Sequence, residues 1–149
     1  MRYKSVLFLI LSLVFFLTFK LFLQRQISLI NVQGRAEILS ANIQKRDSIT
    51  FSSRALGKSK ILAVSGKVKS SESDLLIPLK ILNRKKLITY TNSDGIFNFN
   101  LERGIYTFFI LDEKNAYLNS FDGKGYYKFY KIYSEIDDIL ITVTSKSYF

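Results

Sequence analysis

Residues 91–106 read TNSDGIFNFNLERGIY, and this stretch decides the fold. Positions 92–95 predict a turn, because Asx and Ser side chains hydrogen-bond their own backbone and glycine adopts a positive φ at little cost. From 97 to 101, phenylalanine and leucine alternate with asparagine, which predicts a strand with one apolar face. A second turn at 102–104 leads into a further strand that contains Tyr106. The stretch therefore predicts a β-hairpin-rich unit rather than a catalytic site.

The same pattern of short apolar runs and polar turns extends from Ile61 to Thr144. Strands separated by turns every 8 to 12 residues or so, with no helical run between them, predict a mainly β fold, an antiparallel β-sandwich of about seven strands. Pro78 cannot donate a hydrogen bond to a ladder, so the strand predicted over 75–82 is expected at an edge or a bulge.

The spacing T-x-x-D-G-x-F-x-F-x-L-x-x-G-x-Y resembles the carboxypeptidase regulatory-like domain, a small transthyretin-like (prealbumin-like) β-sandwich. The matching residues are Thr91, Asp94, Gly95, Phe97, Phe99, Leu101, Gly104 and Tyr106. The resemblance covers residues 61–144. Members of that family are mostly accessory or binding modules, so the resemblance implies a binding or structural role. The zinc peptidase domain of the namesake family finds no match here, so peptidase activity is not implied.

The composition allows a folded core and excludes several kinds of catalytic and metal site. Apolar residues make up 48% of the chain and aromatic residues 15%, which is enough to build a packed core. The sequence has no Cys, His or Trp, so Ser-His-Asp and Cys-His catalysis and the usual zinc sites are excluded. The carboxylates fall in predicted turns. We therefore expect no enzyme, and no catalytic, cofactor-binding or metal-binding residues.

The N-terminus predicts a membrane attachment. Residues 1–4 form a short basic start, and residues 5–23 are almost entirely apolar. Such a helix would cross about 30 Å of hydrocarbon at about 1.5 Å per residue, so we expect an uncleaved single-pass anchor in contact with membrane lipid. A cleaved signal peptide with secretion of the remainder is the alternative, although a small-x-small cleavage site is missing. A buried soluble helix is a third interpretation. The family resemblance places the C-terminal domain outside the cytoplasmic membrane.

Residues 24–60 are predicted to be a basic tether, and residues 61–149 the sandwich. Between positions 20 and 69, ten Lys and Arg oppose two acidic residues, whereas from 70 to 149 ten oppose ten. The spacing of apolar residues over 32–43 fits one face of a short amphipathic helix, and alternation over 48–53 fits a strand. The tether either lies on anionic headgroups or is a solvated linker. The neutral domain does not favour a nucleic-acid partner.

An aromatic run at 117–133, YLNSFDGKGYYKFYKIY, is the most unusual local feature. Aromatic faces stack on sugar rings or bases, and lysine adds charge for an anionic partner. The alternative is a strand pair whose one face is core and whose other face is a Tyr-rich edge. The candidate ligand-binding residues are Tyr126, Tyr127, Lys128, Phe129, Tyr130 and Tyr133.

Two functions follow from these patterns. The first is a membrane-anchored extracytoplasmic module with a binding or structural role, making protein–protein contact in the cell envelope. The second is a carbohydrate-binding module that uses the aromatic run at 117–133 to hold a glycan.

Overall fold

The computed structural model describes residues 12–16, 28–43, 49–70 and 76–144. Within these ranges the chain is mainly β, with ten strands in two open sheets and one parallel pair among otherwise antiparallel pairs. The strands are β1 (Ile30–Ile43), β2 (Ile49–Ala55), β3 (Lys60–Ser65), β4 (Leu76–Pro78), β5 (Lys86–Tyr90), β6 (Ile96–Leu101), β7 (Gly104–Asp112), β8 (Asn115–Tyr117), β9 (Phe129–Ile132) and β10 (Ile136–Thr144).

The first sheet is built around β1. Strand β10 runs parallel to it along one side, and β6 and β2 pair with its other side one after the other. Ala36 marks the junction, because its N–H donates to the Gly95 carbonyl at 2.9 Å and its carbonyl accepts from Leu56 N at 2.9 Å. Gly95 has φ +75°, which favours glycine. One long strand thus joins three others.

The second sheet has the order β4-β8-β7-β3-β5, and β9 pairs with β7 beside β8. Residues 106–111 of β7 and 61–64 of β3 are buried without interruption. A strand reads as a continuous apolar run when both faces of its sheet are covered. Both faces of this sheet must therefore be covered.

The inner face of the second sheet packs against the first sheet. Phe108 of β7 lies 6.2 Å from Phe97 and 5.7 Å from Phe99 of β6, measured between ring centroids. Phe97, Phe99 and Leu101 are buried while the intervening asparagines are exposed. This alternation confirms the predicted strand and places its apolar face in the shared core.

The opposite side, here called the outer face, is covered by loops. Ladder partners point to the same side of a sheet, so Leu62 and Phe109 share the outer face. The ring of Tyr127 lies 5.4 Å from Phe109 and 5.2 Å from Phe121. The loop that contains Phe121 and Tyr127 therefore forms a second apolar layer there.

Two predictions about the N-terminal half need correction. The helix predicted over 32–43 is wrong, because these residues form most of β1. Residues assigned to the tether also supply β2, so positions 30–43 and 49–55 belong to the first sheet. Burial alternates strictly from Ile30 to Ile38, the period of a strand. Apolar residues spaced by four fit both periods, and pairing with β10 and β6 decides between them.

The prediction for Pro78 is confirmed, whereas most of the predicted membrane anchor is not described by the structure. Strand β4 ends at Pro78 and lies at the edge of its sheet, as its proline predicted. Of the predicted anchor over 5–23, only residues 12–16 are described, and they are helical. The remainder lies outside the described residues. Among those that are described, the structure contains no helix with the length and hydropathy needed to cross a bilayer.

Candidate functional site

The loop between β8 and β9 is held by an aspartate-centred turn. The Oδ1 atom of Asp122 accepts hydrogen bonds from Lys124 N at 2.7 Å and from Tyr126 N at 3.1 Å. The Lys124 amide holds the pKa of Asp122 below its ordinary value, and the Tyr126 amide and the charges of Lys67 and Lys124 act in the same direction. Gly123 and Gly125 take positive φ values. Residues 122–125 therefore form a turn.

Tyr127 points into the layer over the outer face. Its side chain is 0% exposed, between the rings of Phe109 and Phe121, and its N–H donates to the Val68 carbonyl at 3.0 Å. A ring without exposed surface cannot stack on a ligand. Tyr127 is therefore a core residue.

Two of the predicted residues, Tyr126 and Phe129, surround a lysine. Both are half-buried. The Lys67 ammonium lies 4.4 Å from the ring centroid of Phe129 and 5.8 Å from that of Tyr126, which is cation–π distance. Lys67 was not among the predicted site residues. It lies far away in sequence, so no local pattern indicated it.

The remaining predicted residues lie elsewhere. Tyr130 belongs to the inner face, where its ring lies 5.8 Å from Phe108 and its hydroxyl donates to the Leu140 carbonyl at 3.2 Å. The Lys128 ammonium lies 5.3 Å from the Tyr130 ring. Tyr133 follows β9 and is 58% exposed. The six predicted residues therefore do not form one continuous stacking platform. Phe129 and Tyr130 point to opposite faces of β9, and Tyr127 is buried.

A pocket of about 270 Å³ opens beside Lys67. Its lining residues, which come from the segments at 68–69 and 76–84, are Val68, Lys69, Leu76, Ile77, Pro78, Ile81, Leu82, Asn83 and Arg84. Val68 and Leu82 are buried, whereas Ile81 is 65% exposed. The base is therefore apolar and the mouth presents aliphatic surface to solvent.

Two cations border this pocket. Arg84 Nη1 donates to the carbonyl of Lys67 at 2.9 Å and to that of Ser65 at 3.4 Å, which fixes the guanidinium. Lys69 pairs with Tyr126 across an isolated bridge. The backbone of the lining segment at 68–69 is thus paired with that of Tyr126.

Strand β5 adds exposed apolar side chains to the outer face. Ile88 lies opposite Leu62 in the ladder, and Tyr90 lies opposite Lys60. They are 53% and 61% exposed. Because ladder partners share a face, Ile88 and Tyr90 extend the outer face to the edge of the sheet. We call the pocket, Lys67 with its two rings, and these two side chains the outer-face surface.

The outer-face surface presents groups that can make noncovalent contacts. Across residues 28–43, 49–70 and 76–144, no group of three or more acidic residues is arranged to hold a metal ion. The outer-face surface combines aliphatic, aromatic and cationic groups. Such a combination recognises a partner by burial and by charge.

Comparison with known proteins adds no identification, because no protein family, curated protein or solved structure matches this chain significantly.

Proposed function

We propose that this chain is a membrane-anchored, extracytoplasmic β-sandwich module of the transthyretin-like type that makes protein–protein contact in the cell envelope. The apolar segment 5–23 supports the anchor and contact with membrane lipid. The motif at 91–106 and the core shared by two sheets support the sandwich. In this proposal the chain carries out no reaction and uses no cofactor.

The observation that carries the protein-contact role is the exposed apolar surface on one side of the second sheet. Ile81, Ile88 and Tyr90 are each more than half exposed, at 65%, 53% and 61%. Single exposed apolar residues are ordinary, but an exposed aliphatic residue lining a pocket, together with two exposed neighbours on one face of an edge strand, is typical of an interaction site. A partner protein would remove this surface from water.

The carbohydrate-binding alternative loses much of its basis. Its five aromatic residues were expected to act together, yet Tyr127 is buried and Tyr130 faces the other sheet. Tyr133 is exposed but follows β9 by itself, and Lys67 lies over the rings of the other two, Tyr126 and Phe129. A neutral sugar would have to displace that lysine before stacking.

Site-specific photocrosslinking in intact cells tests the protein-contact role. A photoreactive phenylalanine analogue replaces Ile88 or Tyr90 on the outer face, or Asn98 as a control exposed on the first sheet. Discrete protein adducts at 88 and 90 but not at 98 are expected. If position 98 gave the same adducts, or if 88 and 90 gave none, the proposed contact would be wrong.

Fractionation of the same cells tests the anchor. A single-pass anchor keeps the full-length chain in the membrane after a carbonate wash, and protease added outside the membrane digests the domain. Release of a shortened chain into the medium would instead support the secreted alternative.

A further inference from the structure

We propose that the pocket between the segments at 68–69 and 76–84 receives one large apolar side chain of the partner protein, and that acidic residues flank that side chain. The inference rests on the proposed protein-contact function and specifies the chemistry of the partner. We call this feature the anchor pocket.

Its size selects a single side chain. The volume is about 270 Å³. A cavity of about 150 Å³ accommodates benzene, and pockets for drug-sized molecules typically span about 300–1,000 Å³. The anchor pocket therefore suits a leucine, phenylalanine or tryptophan side chain. Energetically dominant contacts in protein interfaces are commonly made by such residues inserted into a pocket.

Its lining provides apolar contact at every depth. Val68 and Leu82 are buried, Ile77 and Pro78 are half-buried, and Ile81 is exposed at the mouth. An inserted side chain would bury the exposed part of Ile81 together with its own surface. This burial is the main source of affinity.

The charge at the mouth indicates acidic neighbours. Lys69 and Arg84 line the pocket, and its lining as described contains no carboxylate. Arg84 is held by two backbone carbonyls, so its guanidinium is positioned before any partner arrives. Gly66, at φ +88°, leaves room for it, because a Cβ there would lie only 2.4 Å from Arg84 Nη1. A fixed guanidinium favours carboxylate partners.

The neighbouring surface favours a protein over an isolated amphiphile. Ile88 and Tyr90 extend the same outer face beyond the pocket, and an acyl group that filled the pocket would leave both exposed. A polypeptide can place one side chain in the pocket and cover the adjacent strand with flanking residues. The occupant we commit to is therefore an acidic segment of a partner protein with one apolar anchor.

The test measures binding of short fluorescent peptides to the full chain in lipid nanodiscs by fluorescence anisotropy. The first peptide has a central phenylalanine with two acidic residues on each side. The second replaces the phenylalanine by alanine, and the third replaces the acidic residues by lysine. We expect the first to bind at least roughly tenfold more tightly than either of the others, since burial of one aromatic side chain alone supplies such a factor.

Variants of the chain locate the binding. Ile81→Asp and Lys69→Glu are expected to weaken binding of the acidic phenylalanine peptide roughly tenfold or more. Leu140→Asp is the matched control, because Leu140 is an aliphatic residue 44% exposed on β10 of the other sheet. Arg103→Glu is the charge control in an exposed turn. Unchanged circular dichroism would show that each variant is folded.

Several results would overturn the inference. Equal binding of the acidic and basic peptides would show that the surface does not select acidic residues. Unchanged peptide binding by the Ile81→Asp variant would show that the peptide does not occupy the pocket. Saturable binding of laurate that depends on Ile81, without peptide binding, would assign the pocket to an acyl group instead. If the peptides fail while crosslinks at Ile88 persist, the proposed function stands without this inference. Specific peptide binding without crosslinks at 88 and 90 would support the pocket inference but contradict the proposed contact with an envelope protein.

Discussion

Replacing Gly95 with alanine tests the junction at which β1 changes partners. A Cβ at this position would lie 2.5 Å from the Ala36 carbonyl oxygen and 3.1 Å from Leu56 N. Both atoms take part in the hydrogen bonds that join β1 to its neighbours. The backbone is also in the left-handed region, with φ +75°. The substitution therefore combines an unfavourable conformation with a collision against backbone that cannot move freely.

Gly123 separates these two effects. It has the same φ of +75°, yet a Cβ there would meet nothing within 4 Å. The left-handed conformation costs an L-residue about 1–2 kcal/mol, and alanine returns about 0.4–1 kcal/mol by restricting the unfolded chain. Gly123→Ala should therefore lower the free energy of unfolding by about 1 kcal/mol.

Gly95→Ala should lower the free energy of unfolding by much more than Gly123→Ala. Overpacking adds about 1–3 kcal/mol, and weakening the bond from Ala36 N to the Gly95 carbonyl adds about 0.5–1.5 kcal/mol. The expected total is about 3–5 kcal/mol, a large part of the stability of about 5–15 kcal/mol that a typical protein has. At this size the junction glycine decides whether the first sheet forms.

Urea unfolding of the full chain in detergent, followed by far-ultraviolet circular dichroism, measures both values. With a denaturant slope of about 2 kcal/mol per molar urea, the midpoint should fall by about 0.5 M for Gly123→Ala and about 1.5–2.5 M for Gly95→Ala. Equal shifts would show that the steric contact is relieved at no cost. The junction would then not depend on a bare glycine.

Three further outcomes are expected. Thr91→Val removes two hydrogen bonds between the buried hydroxyl and the backbone. The unfolding free energy should therefore fall by about 2–4 kcal/mol, and a loss below roughly 0.5 kcal/mol would contradict this. Phe108→Ala empties a site among four aromatic rings and should cost about 3–5 kcal/mol, measured by the same unfolding. Because the pKa of Asp122 is lowered in the folded chain, the turn gains stability above about pH 3.9 and loses it as pH falls through the lowered pKa. The Lys124 and Tyr126 amide resonances should titrate together below that value, and a common midpoint at or above it would refute the assignment.

The first turn and the strand at 91–101 were predictable because their determinants are local. The predicted hairpin is wrong, because β6 pairs with β1 of the first sheet whereas β7 belongs to the second sheet. Asn92 Oδ1 accepts hydrogen bonds from Asp94 N at 3.0 Å and Ile96 N at 2.9 Å, which is the Asx turn expected from the sequence. Gly95 takes the positive φ that the turn needs. Each of these contacts lies within a few residues, so composition and order determine them.

Strand β1 was not predictable in the same way. Its inward positions include Gly34 and Ala36, whose small size gives little signal of a core strand. A Cβ at Gly34 would lie 2.3 Å from the ring of Phe97, so the missing side chain makes room for an aromatic residue of β6. The requirement comes from a distant strand, and no window around β1 contains it.

In the candidate site, as in the fold, local features follow from the sequence whereas features that depend on distant residues do not. The aromatic run at 117–133 is the stretch for which the sequence predicts a ligand site. Which rings are exposed depends on Lys67 and on the loops that cover the outer face, and both come from other parts of the chain. The anchor pocket likewise forms between two segments that lack any distinctive motif. The sequence pattern shows that the run is aromatic, and only the tertiary contacts separate its buried rings from its exposed ones.

Because β1 pairs with β10, the first sheet cannot be completed until the C-terminal part of the chain has been synthesised. Val32 pairs with Ile136, so nearly the whole domain lies between the two partners. A ribosome adds about 5–20 residues per second, so β1 leaves the ribosome roughly 5–20 seconds before its neighbour. Throughout that interval the buried edge of β1 is an unpaired strand, open to association with other chains. A chain that stops before Ile136 therefore leaves this edge of β1 unpaired and cannot complete its first sheet.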